Sequence, residues 1–199
     1  RHEYSNTNFL LLEMVIEKVT RQSFQTLLTA ELITPLGLKR TGFPDRAGNL
    51  PSPHIRGYVP LDTSKGPFTN TKRSLDVTYH DYFSGGDGGL YSSIDDLAKM
   101  MEALWAGSLI APSQLRAMTG DLKTDHEGLY RYGLGIVALP TRCSRTAFGH
   151  EGRDIGIFTS MLSTEDGSRQ MIIVINTAHD FIPRIDKALA DLRDRVFCD

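Results

Sequence analysis

The chain has 199 residues, with 22 Lys or Arg against 24 Asp or Glu and a formal net charge of -2. Acidic and basic residues are mixed along it, so there is no electrostatic footprint for nucleic acid or an anionic membrane surface, and a small substrate is the better-suited partner. No stretch approaches the roughly 20 apolar residues that span a bilayer.

The opening Arg1-His2-Glu3-Tyr4 lacks the basic and apolar regions of a secretory leader. The chain therefore starts either mature or in mid-protein, and mid-protein is expected, because a candidate catalytic loop sits at Tyr4 with nothing before it to hold it in place. From Asn8 to Arg21, Leu11, Leu12, Val15, Ile16 and Val19 fall at helical spacing, and Ser5 or Asn6 can serve as N-cap. A second helix is predicted from Ser23 to about Ile33, ended by Pro35 and Gly37. Between Thr41 and Phe83, five prolines scattered among Gly, Asn, Asp and Ser break every period, and a long irregular segment is expected, of the kind that often carries function.

Ser84-Gly85-Gly86-Asp87-Gly88-Gly89 lacks the Gly-Lys-Ser/Thr ending of a phosphate loop, and its glycines read as letting backbone pass close to a ligand or a neighbouring helix. Ser92 or Ser93 caps an amphipathic helix from Ile94 to Ala106, and Pro112 starts a short one to Met118. After about Asp125 the period changes to that of strands: Tyr130 to Leu139, a short run from Thr146 to His150, and a hairpin of Ile155 to Ser163 with Arg169 to Asn176. An amphipathic helix from Phe181 to Phe197, with Ile185, Ala188, Leu189, Leu192 and Val196 on one face, is suited to cover that sheet. The predicted class is α+β: a helical lobe over residues 1–125 and, over 126–199, an antiparallel sheet with its terminal helix.

Cys143 and Cys198 are the only cysteines, and spacing leaves a disulfide and two buried thiols equally open. The six histidines show no ligand spacing with each other or with cysteine, so neither a metal nor another cofactor is expected. Tyr4, Asn6 and His150 have the types needed for proton transfer and substrate binding. A tyrosine can act as general base only if nearby cations lower its pKa from about 10.

Tyr4-Ser5-Asn6, Pro35-Leu36-Gly37-Leu38, Gly89-Leu90-Tyr91-Ser92-Ser93, Tyr132-Gly133-Leu134-Gly135 and Phe148-Gly149-His150-Glu151-Gly152 follow one another in an order that resembles the serine β-lactamase and D-alanyl-D-alanine carboxypeptidase superfamily. The nearest likeness is to its class C and Streptomyces-type DD-peptidase branch, and it covers nearly the whole chain. The resemblance implies a penicillin-recognising fold, here incomplete. It implies Tyr4 as proton shuttle, Asn6 as a hydrogen-bond donor to the substrate carbonyl, and His150 as the electropositive wall opposite. Gly152 would let substrate approach the strand edge, the Arg153 backbone N–H would be an oxyanion donor, and Cys143 would pair with Cys198. The branch's first motif, Ser-x-x-Lys, is absent, since no Ser in the chain has a Lys three residues on. Where carboxypeptidases of the branch carry hydroxyl residues and an Arg for the substrate carboxylate, this chain has Glu151, Arg153 and Val137. Arg153 would attract a carboxylate and Glu151 would oppose it. The implied protein is a secreted or cell-envelope serine hydrolase acting on a peptide, amide, ester or β-lactam, with an N-terminal segment supplying Ser-x-x-Lys. A non-catalytic binding module of the same fold is the alternative.

Overall fold

The computed structural model describes residues 2–45, 47–60, 74–78, 85–125, 127–177 and 183–199; the expectations resting on His80, Phe83, Ser84, His126, His179 and Phe181 fall outside them. In chain order the elements are α1 (Asn6–Thr20), α2 (Phe24–Leu28) continued by a π-helical turn (Thr29–Ile33), β1 (Tyr58–Pro60), β2 (Ser74–Asp76), α3 (Ile94–Trp105), α4 (Pro112–Gly120), β3 (Lys123–Thr124), β4 (Arg131–Tyr132), β5 (Val137–Pro140), β6 (Thr146–Asp154), β7 (Ile157–Ser163), β8 (Gln170–Ile175) and α5 (Pro183–Cys198). They form two units, Arg1–Pro51 with Asp81–Leu134 and Ser52–His80 with Gly135–Asp199. This partition differs from a single boundary at 125/126: residues 52–80 join the second unit and 126–134 the first.

In the first unit α1 starts where the sequence predicts. Its N-cap is the extended Ser5, whose side chain makes no capping bond. The apolar residues of α1 follow the helical period, yet none is buried: Leu11 is 54%, Val15 56% and Val19 77% exposed. Glu17 joins α1 to α2 by accepting the Phe24 N–H at 2.8 Å. Ser23 caps α2 through the Thr26 N–H, and the helical path ends at Ile33, ahead of Pro35. Ser93 caps α3 through the Asp96 N–H. The Asp96 carboxylate, 3% exposed, accepts the Arg40 N–H at 2.7 Å and the Thr41 hydroxyl at 3.0 Å, so it ties the segment after α2 to α3. The loop between β3 and β4 hangs on Asp125, which accepts the Tyr130 and Glu127 N–H groups at 3.0 and 3.1 Å.

In the second unit β5, β6, β7 and β8 pair in that order, all antiparallel. The predicted hairpin is β7–β8, its turn organised by Asp166, which accepts the Ser168 N–H and the Thr164 and Ser168 hydroxyls. These bonds hold the Asp166 carboxyl down at about 2. Two expectations need correction. The strand expected to stop at His150 runs on to Asp154, because β7 pairs with it residue by residue to the Asp154–Ile157 pair. Part of the segment read as irregular forms the ribbon β1–β2. This ribbon packs on the β6–β7 turn, where Tyr58 N–H donates to Gly156 O at 3.3 Å.

Ala147, Leu162, Met171 and Phe197 make the buried cluster of this unit, with Leu139, Ile173 and Val196 packed against it. Phe197, with no exposed surface, anchors α5, while Leu192, expected on the covering face, is 42% exposed. The helix is therefore held by its last turn. There Arg145 and Arg169 donate to the Phe197 and Val196 carbonyls at 2.8 and 2.9 Å, groups that a helix end leaves unpaired. Cys143 and Cys198 are disulfide-bonded, with Cα atoms 5.8 Å apart and a sequence separation of 55. Closing a loop of that length restricts the unfolded chain by about 4 kcal/mol on the loop-entropy model. We expect the Cys143→Ser/Cys198→Ser variant to lose about 2–4 kcal/mol of stability in denaturant titration, with the far-ultraviolet helical signal retained at low denaturant. A midpoint equal to that of the parent would show that the arginine contacts alone secure the helix.

Candidate active site

Three contacts place Tyr4. His2 N–H donates to Thr124 O at 3.2 Å, and the His2 ring stacks on Tyr132 with centroids 4.5 Å apart. The Tyr4 ring meets Tyr132 edge-on at 5.7 Å and Phe9 of α1 at 5.6 Å. The phenol is thus held by aromatic packing from β4 on one side and α1 on the other. Asn6 lies two residues further, at the first helical position of α1 and exposed to solvent. Because Ser5 occupies the N-cap position, capping does not account for an asparagine at residue 6.

The glycine-rich stretch reaches the same place. Gly85 and Gly88 exchange backbone hydrogen bonds at 3.2 and 3.1 Å, closing a tight turn with Gly86 and Asp87 at its tip. The Gly86 N–H donates to Glu13 Oε2 at 2.7 Å, and a methyl group on Gly86 would lie 2.6 Å from the Phe9 carbonyl oxygen. Here the glycines allow close passage over a neighbouring helix, α1, as one of the two readings of the sequence has it.

The electrostatics of Tyr4 oppose the expected role. Although 39% exposed, Tyr4 has its pKa raised above 10, first by burial, then by the Asp87 carboxylate, then by Tyr130. Tyr132 is raised further, again first by burial and then by Tyr4 and Tyr130. Those causes include no cation. A phenolate at Tyr4 therefore requires positive charge beyond these groups. Asp87 and Tyr132 are the two site residues that sequence reasoning passed over. Asp87 is the sole side-chain-bearing residue among Gly85 to Gly89, the one signal that marks it out.

In the second unit, His150, Glu151, Gly152 and Arg153 all lie on β6. Strand alternation puts His150 and Gly152 on one face, and Glu151 and Arg153 on the other. The Arg153 guanidinium lies 5.5 Å from the centre of the Phe158 ring, its cross-strand partner. The half-buried His150 holds Nδ1 2.6 Å from the Glu151 carbonyl oxygen. A carbonyl can only accept, so Nδ1 carries hydrogen and Nε2 is the position whose protonation decides the ring's charge.

The two glycines of this stretch differ. A methyl group on Gly149 would fall 1.8 Å from the Met161 carbonyl oxygen, so β7 itself demands glycine there. At Gly152 no atom of the described residues comes within 4 Å of such a methyl. Protein packing thus leaves the second glycine unexplained, and close approach of a ligand would explain it.

Gly149→Ala should therefore cost about 2–3 kcal/mol in denaturant titration, while Gly152→Ala stays within about 0.5 kcal/mol of the parent. Equal losses would remove the distinction. For Tyr4 the sign is set by the raised pKa: the neutral phenol is favoured in the folded chain. The corresponding stability is complete below pH 10 and lost as pH rises through the folded value. Phenolate absorbance of this chain, taken as the difference from Tyr4→Phe, should place Tyr4 above 10. A value below 10 would reveal a cation at the phenol.

A family profile described as Beta-lactamase matches residues 1–194. Penicillin-binding protein 4* of Bacillus subtilis is 24% identical over 89% of this chain and 40% of its own length. A putative D-alanyl-D-alanine carboxypeptidase of Escherichia coli O157:H7 is 23% identical over 88% of this chain and 44% of its own. Among solved structures, the D-stereospecific amidohydrolase from Streptomyces sp. superposes with a TM-score of 0.81 at 29% identity, covering 98% of this chain and 54% of its own. The D-amino acid amidase from Ochrobactrum anthropi SV3 gives 0.81 at 24%, covering 98% and 56%. The chain thus spans roughly half the length of these relatives, and its fold is that of the penicillin-binding proteins and D-amino acid amidases. The ordered motifs, the α+β architecture and the profile match agree, and the chain belongs to the beta-lactamase family.

Proposed function

We propose that this chain is part of a serine hydrolase that transfers an acyl group from an amide, peptide or ester to a serine and then to water, the serine and its lysine lying in an N-terminal segment of the same protein. The observation that carries this reading is the family match from residue 1 to 194, with Tyr4-x-Asn6 set at the mouth of α1. The exposed apolar residues of α1 support the further segment. Leu11, Leu12, Val15 and Val19 are a costly surface to leave in water, and a packed helix would cover them. A disulfide suits a secreted or envelope protein.

In this mechanism the Tyr4 oxygen takes the proton of the attacking serine hydroxyl and returns it to the leaving group. It does so once the lysine of the nucleophile motif offsets the upward push of burial and Asp87. Asn6 donates its amide hydrogen to the substrate carbonyl. His150 supplies the polar wall opposite. The Arg153 backbone N–H is one oxyanion donor, and Gly152 leaves the room substrate needs. The Arg153 side chain lies on the strand face opposite His150 and over Phe158, which weakens the case for it as a carboxylate anchor. We therefore favour an amide or ester donor over one ending in a free carboxylate. β-Lactams enter the scheme as acylating reagents.

In the complete protein, Tyr4→Phe should slow ester turnover roughly 100- to 10,000-fold. Intact-mass spectra with a penicillin-type reagent should show the reagent's mass added to the parent protein. An unlabelled parent that turns over no ester would instead favour a binding module of the same fold. Parent-like rates in Tyr4→Phe would remove the tyrosine from the mechanism.

A further inference from the structure

The stretch of β6 that carries Gly152 and Arg153 lies beyond its last pair with β5, which is Val137–Gly149, and at the turn end of its pairing with β7. The end of a hairpin is where strand pairing opens first. Something must therefore hold the turn at Ile155-Gly156 if the Arg153 N–H is to keep one direction.

The ribbon β1–β2 meets that turn directly. Tyr58 N–H donates to Gly156 O at 3.3 Å. Gly156 lies at φ +76°, and a methyl group on it would fall 2.6 Å from both the Tyr58 nitrogen and Val77 Cγ2, so both arms of the ribbon touch the turn. The ribbon is itself fixed at one buried hydroxyl. Thr78, 1% exposed, accepts the Gly57 N–H at 3.0 Å and donates its own hydrogen to Asp76 Oδ1. Asp76 also accepts the Thr78 N–H at 3.0 Å and the Arg56 guanidinium at 2.8 Å. The Gly57 carbonyl in turn accepts the Val77 N–H at 2.9 Å. Gly57 is thus held through both its backbone groups, and the next N–H along the chain, that of Tyr58, is the one aimed at the turn. Removing the Thr78 hydroxyl would leave the buried Gly57 N–H without its acceptor.

We propose that Thr78, oriented by Asp76, is a positioning residue for the oxyanion edge of β6: through Gly57 and Tyr58 it clamps the β6–β7 turn and so fixes the direction of the Arg153 N–H. Its catalytic consequence rests on the serine-hydrolase reading, to which it adds a residue that acts through others. A donor that drifts from the developing oxyanion costs transition-state stabilisation and leaves ground-state binding alone. The clamp therefore shows in kcat rather than in KM.

Thr78→Val keeps the shape of the side chain and removes the hydroxyl. In hydrogen–deuterium exchange of this chain it should speed exchange of the peptide from Gly152 to Phe158 about 10-fold, with α5 at parent rates. In the complete protein it should lower kcat for a p-nitrophenyl ester about 10-fold, with KM within about twofold of the parent. Thr78→Ser restores the hydroxyl and should return both readings toward the parent. Asp76→Ala changes an exposed residue and should shift both the same way by a smaller factor, which keeps the test open even where Thr78→Val does not fold. Unchanged exchange from Gly152 to Phe158 in the folded variants rejects the clamp, whatever the protein hydrolyses. Faster exchange with parent kcat rejects the positioning role and leaves a structural brace. A parent without ester turnover refutes the hydrolase reading instead, and exchange alone then decides the clamp.

Discussion

The second unit depends on one close approach, that of β6 to the Met161 carbonyl of β7 at Gly149. No side chain fits there, so glycine is demanded by the sheet rather than by a turn. Strand pairing then continues without a bulge from the Phe148–Ser163 pair to Asp154–Ile157. Because every residue keeps its register, the period of two puts His150 and Gly152 on one face and sends Glu151 and Arg153 to the other. A slip of one residue would reverse both pairs.

The first unit shows a different economy. Tyr4 has little secondary structure of its own, and its placement comes from rings: His2 on Tyr132, Tyr132 against Tyr4, Tyr4 against Phe9. The glycine turn adds a carboxylate to this aromatic setting. Burial and an anion together hold the phenol neutral. A phenol so held suits a site assembled from more than one part of a polypeptide. The bare apolar surface of α1 points the same way, since a helix with this composition draws its stability from packing its apolar face.

Much of the architecture was legible in the residues. Caps at Ser23 and Ser93, Pro35 after a helix and Pro112 at the start of another, and the turn at Asp166-Gly167 act through bonds between near neighbours, so their reading needs no tertiary knowledge. Tyr4, Asn6 and His150 stood out through the order of motifs, which a shared ancestry preserves. The errors lie where distant residues decide. β6 outran its expected end because β7 supplies partners to Asp154, a fact local pattern does not contain. Leu192 was chosen for the buried face of α5, yet Phe197 fills the core, since Ala147, Leu162 and Met171 leave their space at the helix's last turn.

By itself the sequence determined the class of the fold, the positions of most helices, the β7–β8 hairpin and the residue types available for acyl transfer, because these follow from period, caps and ordered motifs. The tertiary structure alone decided which glycine is required by packing and which is not. It also decided which residues of the His150 stretch share a face, and that burial and the Asp87 carboxylate push the Tyr4 phenol the same way, toward its neutral form. Each of those outcomes depends on atoms brought together from distant parts of the chain, and charge and steric exclusion act across space whatever the separation in sequence.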